Sequence, residues 1–342
     1  MQMLTETSIK DTVPNQSLIL EALEDELRAK AFHITPENAE KTIYKRWDLL
    51  KFIYPDFKEL CQTDLKMEPD VMLPTLWNLW LPLATQIASR YQKLQRPFIQ
   101  GILGGQGTGK TTTCKVISLI LSHLKYQTLS LSIDDLYKTY EARLILQQQD
   151  PRLIWRGPPG THDVGLGLNL LDNILQLQTR ITVPRFDKSL HSGAGDRINP
   201  QIVENIDIVL FEGWFVGIHP INSAVFNAPP LPIVTEADKE FARDMNKKLH
   251  DYLPLWQRLD SLIVMYPKDY RLSLEWRKQA EHQMKAGGKT GMTDLQIEEF
   301  VNYFWKALHP ELFIKPLIKS PSADLVIEIN PNHSFGKVYK PS

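Results

Sequence analysis

The chain has 342 residues, 43% hydrophobic and 23% charged, with a formal net charge of −1 and two cysteines. That length holds one large domain or two ordinary ones, with enough apolar residues for a core. The near-neutral balance argues against a nucleic-acid surface or an acidic disordered tail, and no run of about 18 apolar residues points to a membrane span. Cys61 and Cys114 are far apart and lack metal-type spacing, which fits a reducing compartment. The start, MQMLTETSIKDTVPN, lacks the basic-then-apolar design of a signal peptide and is too acidic for a transit peptide, so a cytoplasmic location is expected.

Residues 1 to about 16 are polar and expected to be loose. From Ser17 the pattern turns helical, with Leu18, Leu20, Leu23, Leu27 and Ala31 near helical spacing. Thr35-Pro36-Glu37-Asn38 reads as an N-cap with proline at the first helical position, and Ile43, Trp47, Leu50 and Ile53 form the next stripe. Prolines punctuate the region up to Arg96-Pro97. We therefore expect a helical front section over 1–95 without a catalytic motif, its Trp and Tyr residues serving packing.

The second section, 96–342, alternates strand and helix. Strands are expected at 98–103, 127–133, 180–184, 206–211, 261–266 and 324–329, with helical patterns between them such as 163–178. Thr235-Glu236-Ala237-Asp238 and Thr293-Asp294-Leu295-Gln296 look like capped helix starts. Such alternation predicts an α/β fold, a parallel sheet with helices on both faces, whose ligands sit beyond the carboxyl ends of the strands.

Gly104-Gly105-Gln106-Gly107-Thr108-Gly109-Lys110-Thr111 fits G-x-x-x-x-G-K-[ST], the P-loop of a P-loop NTPase fold, between the first strand and a helix that begins at Lys110 and runs through Thr112. Glycines let consecutive N–H groups curl around one polyanion at a helix N-terminus. Lys110 would reach the β- and γ-phosphates and Thr111 would ligate Mg²⁺. No Asn-Lys-x-Asp signature is present, which tilts the base toward adenine and the nucleotide toward ATP.

Five further stretches are candidates for chemistry. Ser132-Ile133-Asp134-Asp135-Leu136-Tyr137 follows a strand; one acid could take a proton from an attacking hydroxyl, or either could simply cap a helix. Ile206 to Gly213 is an apolar run ending in Glu212, an arrangement of Walker B type for orienting Mg²⁺. Arg156-Gly157-Pro158-Pro159-Gly160-Thr161-His162-Asp163 is a rigid turn whose Arg156 and His162 could bind an anionic acceptor, with Asp163 holding its hydroxyl or starting the helix. Arg185, Lys188 and Arg197 concentrate cations in one loop, a phosphate or carboxylate site unless they are merely solvated. Residues 269–291 read as a basic lid helix with a glycine hinge at Gly287-Gly288-Lys289-Thr290, from which Arg277 could stabilise the transferring group.

Taken together these motifs resemble the phosphoribulokinase, uridine kinase and pantothenate kinase superfamily. Within it, the Arg156–Asp163 turn, Phe186-Asp187-Lys188-Ser189, Gly195-Asp196-Arg197, Trp276-Arg277-Lys278-Gln279-Ala280-Glu281-His282 and Gly288 to Asp294 resemble the D-glycerate 3-kinases of plants, fungi and cyanobacteria. The resemblance covers about residues 97–331. It implies ATP- and Mg²⁺-dependent phosphorylation of D-glycerate at its 3-hydroxyl in the photorespiratory glycolate pathway. Asp134 stands where the superfamily places its candidate base, and Tyr137, Arg156, His162, Asp163, Lys188 and Arg197 fall among the expected acceptor contacts. Arg185 stands where tyrosine is frequent in that pattern, which counts against a catalytic role for it. A related uridine- or pantothenate-type kinase, or a regulator that binds nucleotide without transferring phosphate, is the alternative reading.

Overall fold

The computed structural model describes residues 14–288 and 291–341; most of the polar start, and Lys289 and Thr290 of the expected hinge, lie outside them. The front section is helical: α1 (Gln16–Glu24), α2 (Glu26–Ala31), α3 (Ala39–Leu60), α4 (Pro69–Thr75) and α5 (Leu81–Leu94), with π-helical turns at Cys61–Leu65 and Leu76–Trp80. The first helical stripe is split, because Asp25 caps α2 through Arg28 N at 3.0 Å. The third helix starts at Ala39 and not at Pro36. Asn38 accepts from Thr35 N at 3.0 Å and donates to His33 O at 2.9 Å, so the side chain that would extend the helix closes a turn instead.

The remainder carries β1 (Phe98–Gly104), α6 (Lys110–His123), β2 (Thr128–Ser132), α7 (Tyr140–Gln149), α8 (Val164–Leu175), β3 (Arg180–Asp187), β4 (Asp196–Glu204), β5 (Ile208–Gly213), α9 (Glu236–Lys248), β6 (Ser261–Pro267), α10 (Leu272–Ala286), α11 (Asp294–Ala307), α12 (Pro310–Leu317), β7 (Leu325–Ile329) and β8 (Phe335–Tyr339). The main sheet runs β2-β5-β1-β6-β7-β8, parallel up to β7 and antiparallel at β8. Every residue of β1 and β6 is buried, as expected of central parallel strands covered on both faces. Gln100 inside β1 is tolerated because its amide donates to Gly101 O at 2.9 Å and Ser261 O at 3.1 Å.

Side chains alternate across the sheet. Phe98 and Ile102 of β1, Ile208 and Leu210 of β5, and Ile263 and Met265 of β6 join one core with α6 and the front helices. Ile99 and Leu103, Val209 and Phe211, and Leu262 and Val264 face the opposite core, with α8, α9 and the turn after α9. The front section is therefore the cover of one sheet face. Trp80 Nε1 reaches Thr113 Oγ1 of α6 at 3.3 Å, tying that cover to the helix that follows the P-loop.

The expected strand at 180–184 does not join this sheet. It pairs with β4 as a separate antiparallel ribbon, with a register shift between Val183 and Arg185. Ribbon and main sheet look alike in the sequence, because Ile181 and Val183 alternate inward as they would in either setting. Thr235 and Thr293 both form capping boxes at the starts of α9 and α11.

Candidate active site

β1 delivers the chain to the P-loop at the centre of the sheet, where the strand order turns from β5 on one side to β6 on the other. Gly107 and Gly109 adopt φ of +77° and +83°, which L side chains rarely adopt. A Cβ on Gly104 would lie 2.6 Å from Thr108 Oγ1, whereas one on Gly105 would meet nothing within 4 Å and would stand in the open cradle. Lys110 Nζ donates to Gly105 O at 3.0 Å, and Thr108 Oγ1 donates to the same carbonyl at 2.9 Å. Gln106 Oε1 is buried without a partner. Gly107 also packs against Trp276 of α10, and its carbonyl lies 3.1 Å from His333 Nδ1.

The register pairs Ser132 of β2 with Glu212 of β5, which brings the two acid-bearing strand ends side by side. Thr111 Oγ1 lies 3.4 Å from Glu212 Oε1. Burial raises the Glu212 carboxyl above its ordinary value, against the pull of Lys110. Among the described residues no group of three or more His, Cys, Asp or Glu converges as a metal site. A hydroxyl and one carboxylate facing a phosphate cradle suit Mg²⁺, which keeps several waters and takes its remaining ligands from phosphates.

The two neighbouring acids diverge. Asp135 accepts from Ser132 N at 3.0 Å and from Arg185 Nη1 at 2.8 Å, closing a capping box on the short 3₁₀ turn. Asp134 lines the cleft, its Oδ2 2.6 Å from Lys188 Nζ. Burial pushes Asp134 up, but Lys188 beside it and the hydrogen bond from Tyr137 together outweigh that and hold the group below its ordinary value. The cleft encloses about 1280 Å³ and runs from Gly105, Lys110 and Thr111 past Asp134 to Arg156 and Lys188. Trp276 and Arg277 of α10 line it, as do the apolar Leu144, Ile154, Trp155 and Phe300.

No protein-family model matches the chain. It is 29% identical over 326 residues to the chloroplastic D-glycerate 3-kinase of Arabidopsis thaliana, covering 87% of this chain and 68% of that one. Its fold matches the solved D-glycerate 3-kinase of Cryptococcus neoformans at a TM-score of 0.69 and 26% identity, covering 77% of this chain and 99% of that one. The uncharacterized kinase mug58 of Schizosaccharomyces pombe is 33% identical over 221 residues, covering 61% of this chain and 79% of that relative. The chain belongs to the glycerate 3-kinase family of P-loop kinases.

In this kinase the acceptor-side residues expected from sequence separate into two groups. Arg156, Lys188 and Tyr137 line the cleft with Asp134. The Arg156 guanidinium lies 5.9 Å from the Tyr137 ring centroid and 5.6 Å from that of Phe186, and donates to Gly193 O at 2.6 Å. Arg197 and Asp163 bond to each other at 2.9 Å instead, while Arg197 Nε donates to Tyr137 O and Asp163 caps α8 through Leu166 N at 3.0 Å. They brace the turn that carries Tyr137. His162 is buried behind Tyr137, their rings stacked at 4.6 Å. Burial lowers its imidazole to about 3, so it offers no cation to an acceptor. Its Nδ1 lies 2.8 Å from Tyr252 Oη.

Arg185 is occupied by Asp135 and by Gln201 of the ribbon, as its departure from the family pattern foreshadowed. Arg277 lines the cleft from α10, paired with the buried Glu281 at 3.0 Å, and its Nε is buried without a partner. Sequence reasoning missed Arg143. It lines the cleft and grips Lys138 O and Ala194 O at 2.7 Å each and Gly195 O at 2.5 Å, fixing the loop after Lys188. Tyr140 stacks on His191 at 4.0 Å and strengthens the same hold. Nothing in the sequence marks an arginine that binds backbone carbonyls, because its partners carry no side-chain signature.

Proposed function

We propose that this kinase transfers the γ-phosphoryl group of ATP to the 3-hydroxyl of D-glycerate, giving 3-phosphoglycerate and ADP. The observation that carries the reading is the placement of Asp134. It stands beyond the end of β2, lining the cleft that the P-loop opens into, and Arg156 lines the same cleft. A hydroxyl acid needs a carboxylate acceptor for its alcohol proton and a cation for its carboxylate within one small molecule's reach. Tyr137 and Phe186 support the planar guanidinium of Arg156, leaving donors free for a carboxylate fork. The names of the Arabidopsis and Cryptococcus relatives support the same acceptor.

The Gly104–Thr111 turn with Lys110 would hold the triphosphate, with Thr112 at the helix start beside it, and Thr111 and Glu212 would hold Mg²⁺. Bound there, Mg²⁺ would neutralise charge on the phosphate oxygens. Asp134 accepts the proton as the acceptor oxygen bonds to phosphorus. Its low proton affinity is sufficient, because a loose transition state leaves the alcohol proton in place until late. Arg277 balances charge from the lid side. In-line placement supplies most of the acceleration. Cys61 and Cys114, both buried free thiols, fit a reducing compartment.

The apolar wall of Leu144, Ile154, Trp155 and Phe300 favours a second reading, a larger acceptor such as those of the pantothenate-type kinases. Incubation with ATP, Mg²⁺ and, in turn, D-glycerate, L-glycerate, uridine and pantothenate, with products identified by mass, separates the two. D-Glycerate alone should yield a phosphorylated product. A phosphorylated pantothenate or uridine without phosphoglycerate would replace the acceptor assignment, and a photorespiratory role holds only if glycerate is the acceptor.

A further inference from the structure

Among the described residues five cations line the cleft, and four of them hold a bond to a backbone carbonyl or to Glu281. Lys110 bonds to Gly105 O, Arg143 to three carbonyls, Arg156 to Gly193 O and two rings, and Arg277 to the buried Glu281. Lys188 differs. Its side chain is 61% exposed, and its partner at 2.6 Å is Asp134, the carboxylate that the acceptor hydroxyl would need. It lines the same cleft as Glu212, on the P-loop side. The backbone below it is fixed: Arg143 binds Ala194 O and Gly195 O, Tyr140 stacks on His191, and His191 and Ser192 hold φ of +50° and +54°. A flexible stem on a fixed base can swing between neighbouring anions without moving the chain.

We propose that Lys188 is a catalytic residue that holds Asp134 in the resting enzyme and passes to the transferring phosphoryl group once ATP and acceptor are bound. The proposal rests on the kinase reading above. In the resting state the ammonium occupies the carboxylate oxygen that the alcohol must reach. Phosphate oxygens carry more charge than one carboxylate and draw the ammonium away. The freed Asp134 then takes the alcohol proton. The acceptor oxygen–phosphorus bond forms, the bond from phosphorus to the β,γ-bridging oxygen breaks, and that electron pair leaves on ADP. Lys188 balances the charge on the phosphoryl oxygens during the passage.

The test compares Lys188→Met, Lys188→Arg, Asp134→Asn and the Asp134→Asn/Lys188→Met double variant, using the acceptor that the wild type phosphorylates. Lys188→Met should lower kcat about 10²–10³-fold while the KM for ATP stays within about threefold, and Lys188→Arg should recover part of the loss. Calorimetric binding of ADP, Mg²⁺, aluminium fluoride and acceptor together should weaken by a similar factor in Lys188→Met, with ADP binding alone unchanged. The double variant should be slower than Asp134→Asn. A double variant no slower than Asp134→Asn would make Lys188 only a counter-ion of that acid and overturn the proposal. So would a raised acceptor KM with kcat intact. The urea midpoint of Lys188→Met should match wild type, since the side chain is exposed. If the wild type phosphorylates no acceptor, the kinase reading itself falls. If Lys188→Met alone is silent, only this inference falls.

Discussion

Asp134 and Asp135 are adjacent in the chain and opposite in circumstance. Asp135 is consumed by the backbone of Ser132 and by Arg185, whereas Asp134 meets the cleft and Lys188. Asp134→Asn keeps the shape and removes the proton acceptor, so turnover should fall about 10²–10⁴-fold with ATP affinity unchanged in a binding assay. Near-normal turnover would reject Asp134 as the base. Arg156→Met should raise the acceptor KM more than it lowers kcat, because Arg156 serves binding in ground and transition states alike. An unchanged KM would place the carboxylate elsewhere. The strand-end position of Asp134 was legible because strand ends in such a sheet face the ligand. The helix-start role of Asp163 was one of the two readings open in sequence, but its pairing with Arg197 was not legible, since a carboxylate and a guanidinium that satisfy each other read as two free binding groups. His162 was illegible for a related reason: only the stacking of Tyr137 and the Tyr252 hydroxyl reveal that it is buried.

At the level of elements, the P-loop and α10 pack against each other. Trp276 of α10 lies against Gly107, where an added Cβ would come within 2.8 Å of the Trp276 Cβ. Trp276 Nε1 donates to Pro331 O at 3.0 Å, anchoring the ring between α10 and the C-terminal hairpin. Gly107→Ala would therefore combine a clash with a disfavoured φ of +77°. Its expected effect is a loss of about 1–2 kcal/mol of stability by urea titration, with ATP binding weakened at least tenfold. Unchanged values in both would mean that the turn adapts freely. The glycine pattern foretold the cradle but not this contact, which depends on a tryptophan far along the chain. The ribbon of β3 and β4 shows the same limit. Alternation marked β3, but β4 was not expected from sequence because it is largely exposed and carries no such pattern, and its pairing with β3 is a long-range choice.

For the whole molecule, one apolar core runs from Leu18 of the front helices through the sheet to Val338 of β8. Deleting residues 1–95 would expose that face of the sheet, so a chain of 96–342 should fail to give a cooperative unfolding transition. Two separate transitions in the full chain would contradict the shared core. Acid should also weaken the fold. Burial lowers His162 to about 3 and His309 to about 4, from an ordinary value of 6.5. Between those values the unfolded chain binds protons that the folded one refuses, so this stability is present above about pH 6.5 and lost below it. The urea midpoint should fall between pH 7 and 5.5, while the carboxyls raised by burial, Asp135 and Glu212, act in the opposite sense. A flat midpoint would mean that neither imidazole is held neutral.

The central claim is one of position, that a phosphate cradle and a single carboxylate share one cleft with the acceptor between them. A crystal structure with a non-hydrolysable ATP analogue, Mg²⁺ and D-glycerate measures this directly. The phosphates should lie against the Gly105–Thr111 amides, and the glycerate 3-hydroxyl between Asp134 and the γ-phosphate. Phosphates bound away from that turn, or a glycerate hydroxyl out of reach of Asp134, would contradict it.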